Sequence, residues 1–147
     1  MSINQIQDEI IDEFSGFDDW MDRYSLLIEY GNGLEAFPEA DKTDKNLIDG
    51  CQSKVWFTAE LQTEDTGNGM VVHYHGDSDA ILVKGIVALL IRVLSGHSPK
   101  EIVDADLYFI DQINLREHLS PTRSNGLNAM LQQMRLFALA YLASGKH

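Results

Sequence analysis

Val55-Trp56-Phe57-Thr58-Ala59-Glu60-Leu61 and Met70-Val71-Val72-His73-Tyr74-His75 are two runs rich in β-branched and aromatic residues, a composition that suits the pleated surface of a strand. Thr63-Glu64-Asp65-Thr66-Gly67-Asn68-Gly69 between them is a turn cluster. The pair therefore reads as two antiparallel strands. A hairpin alone is marginal in water, so helices must cover one face, and a further short strand is expected beside it.

The flanking sequence supplies those helices. Ile3, Ile6, Ile10 and Phe14 recur near 3.6 residues and predict a helix that Gly16 breaks. Asp18 is expected to cap a second helix with a buried stripe of Met21, Tyr24, Leu27 and Ile28, ended by Gly31-Asn32-Gly33. The polar stretch from Leu34 to Asp49, with Pro38, reads as loop with room for one helical turn. Beyond the strands, Asp77-Ser78-Asp79 offers capping side chains to a helix through Leu94 that is apolar nearly all round, as a central helix should be. Ser98-Pro99-Lys100-Glu101 is a capping box with proline at the first helical position, and a short helix through Ile102 and Val103 should follow. Another helical stretch is expected around Tyr108 to Ile113. Ser120-Pro121 opens a long amphipathic helix on Leu127, Met130, Leu131, Met134, Ala138, Tyr141 and Leu142. Helices, then strands, then helices argue for an α+β fold with helices packed on a small antiparallel sheet. No repeat, low-complexity stretch or long linker divides residues 1–147, so a single domain is expected.

Composition narrows the function classes. Apolar residues make up 44% of the 147, enough for a proper core. The N-terminal residues show no basic region followed by an apolar stretch, so no secretory signal is expected. The most apolar segment, Ala80 to Leu94, is interrupted by Lys84 and Arg92 and is shorter than the roughly 20 residues that span a bilayer. A soluble, cytoplasmic protein is expected. The formal net charge is −12, from 23 acidic and 11 basic residues, which argues against nucleic acid and against an anionic membrane surface as partners. Acidity keeps such a protein soluble, and an acidic face can also steer docking onto a basic partner.

The chemistry centres on Cys51, the chain's single cysteine. It has no intramolecular partner for a disulfide and no second thiol for a Cys-x-x-Cys site. It lies in Leu47-Ile48-Asp49-Gly50-Cys51-Gln52-Ser53-Lys54-Val55-Trp56, after a polar loop and just before the first strand. Gly50 lets the backbone turn sharply there. The competing reading is a buried cysteine acting as a small hydrophobe, which the flanking Gly50, Gln52 and Ser53 argue against.

Gly50-Cys51-Gln52-Ser53-Lys54-Val55-Trp56 resembles the cysteine motif of the SufE family of sulfur acceptors. Gly76-Asp77-Ser78-Asp79 followed by Val83-Lys84-Gly85 resembles the family's strand-to-helix corner. Leu119-Ser120-Pro121-Thr122-Arg123-Ser124-Asn125-Gly126-Leu127 resembles its later Pro-x-Arg-Ser-x-Gly-Leu segment. Three motifs in family order, around the only cysteine, are a specific signal.

The resemblance implies a SufE/IscU-like fold and a persulfide carried on Cys51. The sulfur would come from a SufS-type cysteine desulfurase, which the carrier stimulates, and would pass toward iron–sulfur cluster assembly on a SufBCD-type scaffold. No cofactor of its own is expected; pyridoxal phosphate belongs to the desulfurase.

The residues fit such a role. Cys51 must attack as thiolate, and an ordinary thiol, with a pKa of about 8.5, is only a few per cent ionised near neutrality. Lys54 would raise that fraction if its ammonium lay near, or the desulfurase would do so on docking. With no second thiol, a stored persulfide leaves only to an external acceptor or through an intermolecular disulfide.

Around this thiol, Arg123 reads either as a contact to the desulfurase and a cation for the thiolate, or as a guanidinium tying down the helix start. Asp79 reads as a helix N-cap or a partner contact. Trp56 reads as packing, and Gln52 and Ser53 as hydrogen-bonding groups for the loop or the persulfide. His73 and His75 share a strand face with no third metal ligand in evidence, and His97, His118 and His147 share no motif spacing.

Three alternatives stand beside this reading. A cluster scaffold needs several thiolates. A cysteine hydrolase or transferase needs a histidine base and an oxyanion site. An acceptor for a paralogous desulfurase would feed another sulfur pathway.

Overall fold

The computed structural model describes residues 1–63 and 69–144. Most of the expected turn, at residues 64–68, and His147 lie outside the described residues. The elements run α1 (Ile3–Ser15), α2 (Trp20–Asn32), β1 (Val55–Thr63), β2 (Met70–Ser78), α3 (Ile81–Leu94), α4 (Pro99–Asp104), α5 (Phe109–Gln112) and α6 (Pro121–Ala143), with 3₁₀ turns at Glu39–Asp41, Asp44–Asn46 and Arg116–His118. The α+β reading holds.

β1 and β2 pair antiparallel, with Val55 opposite Ser78 and Thr63 opposite Met70. The inner face carries Val55, Phe57, Val72 and Tyr74, all buried, and α3 and α6 cover it. Two tyrosines fasten α6 there: Tyr74 donates to the Met134 carbonyl at 2.6 Å and Tyr141 to the Ala59 carbonyl at 3.0 Å. The expected third strand shrinks, among the described residues, to single bridges of Leu47 with Trp56 and of His97 with Val72. Each bridging segment leaves the sheet at once: Leu47 leads into the Cys51 loop, and His97 meets Ser98-Pro99, where proline has no N–H to extend a ladder.

α3 is the central helix, and Ile86, Val87, Leu89, Leu90 and Val93 are at most 1% exposed. It meets α2 at a glycine crossing. A Cβ on Gly85 would lie 2.1 Å from the Leu27 carbonyl oxygen, and one on Gly31 would lie 2.9 Å from the Gly85 nitrogen. Gly31, expected to help end α2, is instead a buried residue within it. The cap of α2 is Asp19 rather than Asp18, accepting from the Met21 amide. Trp20, Tyr24, Leu27 and Gly31 turn inward at helical spacing, and Met21 is 67% exposed. Arg92 of α3 bonds Glu9 and Glu13 of α1 and lies over the ring of Tyr30, whose hydroxyl also reaches Glu13. The Arg92 guanidinium holds the Glu13 carboxyl below its ordinary pKa.

The Ser98 and Ser120 caps form as expected, the first as a full capping box. No described helix is long and apolar enough to cross a membrane.

Gly85→Ala forces the two helices apart and should destabilise the fold by about 3 kcal/mol, near the top of the range for overpacking. Urea titration followed by circular dichroism should show the midpoint falling accordingly.

Candidate functional site

The chain reverses between Ile48 and Val55, where the Ile48 amide donates to the Val55 carbonyl at 2.9 Å. The excursion between them carries Cys51 at its tip. Gly50 has φ +91°, in the left-handed region where a side chain would be strained, so the turn predicted at this glycine is present.

The returning limb is clamped by the β2–α3 corner. The Lys54 amide donates to the Asp79 carboxylate at 3.0 Å. The Lys54 carbonyl accepts from the Ser78 hydroxyl at 2.9 Å and from the Asp79 amide at 3.1 Å. This corrects the N-cap reading of Asp79. Ala80 is the N-cap of α3 and makes no side-chain cap bond, because the Asp79 carboxylate points back to the Cys51 loop. Asp77 holds the earlier part of the chain, pairing with Lys42 at 3.2 Å while Lys42 lies 5.5 Å from the Trp56 ring centre. Burial opposes ionisation of Asp77, but the Ser78 amide and the Lys42 and Lys84 ammonium groups outweigh it and leave its carboxyl below the usual range. Trp56, 9% exposed, is a packing residue.

Beside the thiol lies a cavity of about 340 Å³. Val55, Val83, Ile86 and Met130 form its apolar walls, and Gln52, Ser53, Thr122 and Arg123 its polar rim. Three distant segments thus meet at Cys51: its own loop, the start of α3 and the start of α6. The thiol is half-buried and donates to the Gly126 carbonyl with sulfur and oxygen 3.7 Å apart. Burial pushes its pKa above the ordinary thiol value. Lys54, read from the sequence as an activating ammonium, does not line the cavity; its contribution is the clamped backbone.

Arg123 does come to the cavity, but it does not tie down the helix through its guanidinium. Its backbone amide bonds the Ser120 hydroxyl at 3.3 Å; among the described residues its side chain makes no hydrogen bond or ion pair. It remains an exposed cation at the rim. Among the described residues no histidine lines the cavity. His75 lies on the outer face of the sheet, 3.3 Å from Glu60 and 3.7 Å from Glu35. Among the described residues no group of three or more histidine, cysteine or acidic side chains is placed to hold a metal ion.

Sequence reasoning missed Ser78 as a clamp and Thr122, Gly126 and Met130 as cavity residues. Thr122 and Gly126 stood within the quoted proline–arginine segment, which is the one signal that pointed to them.

The fold thus defines an α+β protein with one half-buried thiol on a clamped loop, facing a small cavity. Residues 8–138 match the SufE family, described as an Fe-S metabolism associated domain. The chain belongs to the SufE family. It is 40% identical over 131 residues to an uncharacterised SufE-like protein of Rhizobium meliloti, covering 87% of this chain and 91% of that one. It is 41% identical over 133 residues to an uncharacterised SufE-like protein of Synechocystis sp., covering 90% and 80%. The solution structure of a hypothetical protein from Thermus thermophilus shares the fold, with a TM-score of 0.73 at 21% identity and coverage of 94% and 96%. Membership gives the protein a role in Fe–S metabolism, with a partner of the desulfurase kind.

The geometry of the loop can be tested in two ways. Asp79→Ala removes the carboxylate that holds the Lys54 amide. It should cost about 1 kcal/mol, the usual net worth of such a bond, and should speed alkylation of Cys51 by iodoacetamide.

The second test concerns pH. The thiol pKa is higher folded than unfolded, so its contribution to stability is full below the unfolded value of about 8.5. That contribution is lost as pH rises through the higher folded value. The pH midpoint for alkylation should therefore lie higher in native protein than in the urea-unfolded chain.

Proposed function

We propose that this chain, as one sulfur-acceptor domain over residues 1–147, is a cytoplasmic carrier that takes sulfane sulfur from a SufS-type cysteine desulfurase onto Cys51. It stimulates that enzyme and delivers the sulfur toward iron–sulfur cluster assembly on a SufBCD-type scaffold. The observation that carries the reading is the lone thiol on its clamped loop, facing a cavity with apolar walls and a polar, cationic rim.

The transfer balances without an external oxidant or reductant. Cys51 loses its proton and its thiolate attacks the outer sulfur of the donor's persulfide. The donor's S–S bond breaks, the donor leaves as a thiolate, and a new S–S bond forms on Cys51. Pyridoxal phosphate acts in the desulfurase, before this step. The rim groups Gln52, Ser53 and Arg123 are placed to meet the incoming donor segment, and Gly50 and Asp79 hold the loop that presents the thiol. In the free protein, burial keeps the thiol protonated and slow to oxidise; docking supplies its activation.

A cysteine hydrolase is disfavoured because, among the described residues, no histidine lines the cavity to act as base. A cluster scaffold is disfavoured because a single thiolate is too few for a cluster. A paralogous desulfurase would meet the same thiol and is separated by running the same test with each donor enzyme.

The test mixes the protein with a cysteine desulfurase and cysteine, without reductant. Mass spectrometry should find one added sulfur atom on the Cys51 peptide, and desulfurase turnover should rise. Cys51→Ser should show neither. An unmodified Cys51 with unchanged turnover would refute the reading. The activation step is checked separately: alkylation of Cys51 should quicken when the desulfurase is added, and equal rates would remove that part.

A further inference from the structure

Gly126 is the one residue inside α6 whose type works against its helix. Glycine in a helix interior is about 1 kcal/mol less favourable than alanine. At Gly31 and Gly85 the reason for glycine is the contact between α2 and α3. At Gly126 no neighbouring backbone of that kind intrudes. The three atoms nearest to an added Cβ all belong to Cys51: Sγ at 3.4 Å, Cα at 3.8 Å and Cβ at 3.9 Å. The Gly126 carbonyl is also the acceptor of the Cys51 thiol. One turn along the same helix, a Cβ on Gly50 would meet the Ala129 side chain at 3.5 Å, so the loop lies flush against α6.

We propose that Gly126 is a positioning residue for Cys51: its missing side chain and its carbonyl together form the seat that draws the thiol inward. How far the sulfur sits in that seat sets how reactive the free protein is. The inference deepens the sulfur-carrier reading, on which its biological meaning rests, but its geometry stands without a donor enzyme.

The surroundings fix the direction of the effect. Among the described residues β1 and α3 present only apolar side chains to the cavity, namely Val55, Val83 and Ile86, and the one charged side chain lining it is Arg123 at the rim. A sulfur pushed off its seat leaves apolar surface and the Gly126 carbonyl, both of which disfavour a thiolate, and moves toward solvent and a cation, both of which favour one. A methyl group at 126 would stand 3.4 Å from Sγ, at the near limit of ordinary contact, so the sulfur is asked to give by no more than a few tenths of an ångström. A leucine there would fill the space the thiol now occupies.

The experiment uses the full chain without desulfurase. Rates of Cys51 alkylation by iodoacetamide are measured across pH for the wild type, Gly126→Ala and Gly126→Leu, with folding followed by circular dichroism. The alkylation midpoint should fall toward that of the unfolded chain. The rate near neutrality should rise by about tenfold for each unit of that fall, and more for leucine than for alanine. A folded Gly126→Ala protein with wild-type rate and midpoint overturns the proposal. If Gly126→Leu does not fold, the alanine variant alone decides, since alanine favours the helix. Failure of the wild type to gain sulfur from a desulfurase would refute the carrier reading, while the alkylation profiles would still decide the seat.

Discussion

The backbone of Lys54 is held from both sides by the corner between β2 and α3, and the position of the thiol depends on that grip. Its amide is bound by the Asp79 carboxylate, and its carbonyl by the Ser78 hydroxyl and the Asp79 amide. Each bond is worth about 1 kcal/mol net, which is small beside the whole fold. Together they fix where β1 begins. They also fix which way the preceding residues leave the sheet, and so which wall Cys51 faces. Lys42 and Asp77 extend the same attachment to the earlier part of the chain.

The chemistry at Cys51 is a compromise between shelter and reactivity. A thiol with apolar neighbours and a carbonyl acceptor is a poor nucleophile, because burial penalises its charged form. Among the described residues neither Lys54 nor any histidine lines the cavity to relieve the penalty. Arg123 stands at the rim of the cavity without a carboxylate partner among the described residues.

Most of the architecture was legible in the sequence, because its signals are local. Ile3, Ile6, Ile10 and Phe14 declare α1 by spacing, Ser98-Pro99-Lys100-Glu101 declares the start of α4, and the two runs from Val55 and Met70 declare the hairpin. The misreadings fall where a distant partner prevails over a near one. Asp79 looks like a cap for the helix beside it, yet its carboxylate serves Lys54, 25 positions back in sequence. Gly31 looks like a helix terminator and is a contact surface for α3. Met21 faces solvent because α2 packs on α3 through Leu27 and Gly31, a face that Met21 does not share. At the site, the motif around Cys51 and the segment around Arg123 located two sides. That Val83 of the quoted strand-to-helix corner, Ile86 and Met130 of the α6 stripe meet at the same cavity is a matter of packing, which no local pattern records.

The two tyrosines that fasten α6 to the sheet divide the labour within the molecule. Tyr74 reaches Met134 and Tyr141 reaches Ala59, well along the helix from the turn that meets the thiol. The helix is thereby a fixed backstop, and the short Cys51 loop leans on it. Global durability and local sulfur access are consequently governed by different bonds. The loop can therefore be loosened without weakening the body that carries it.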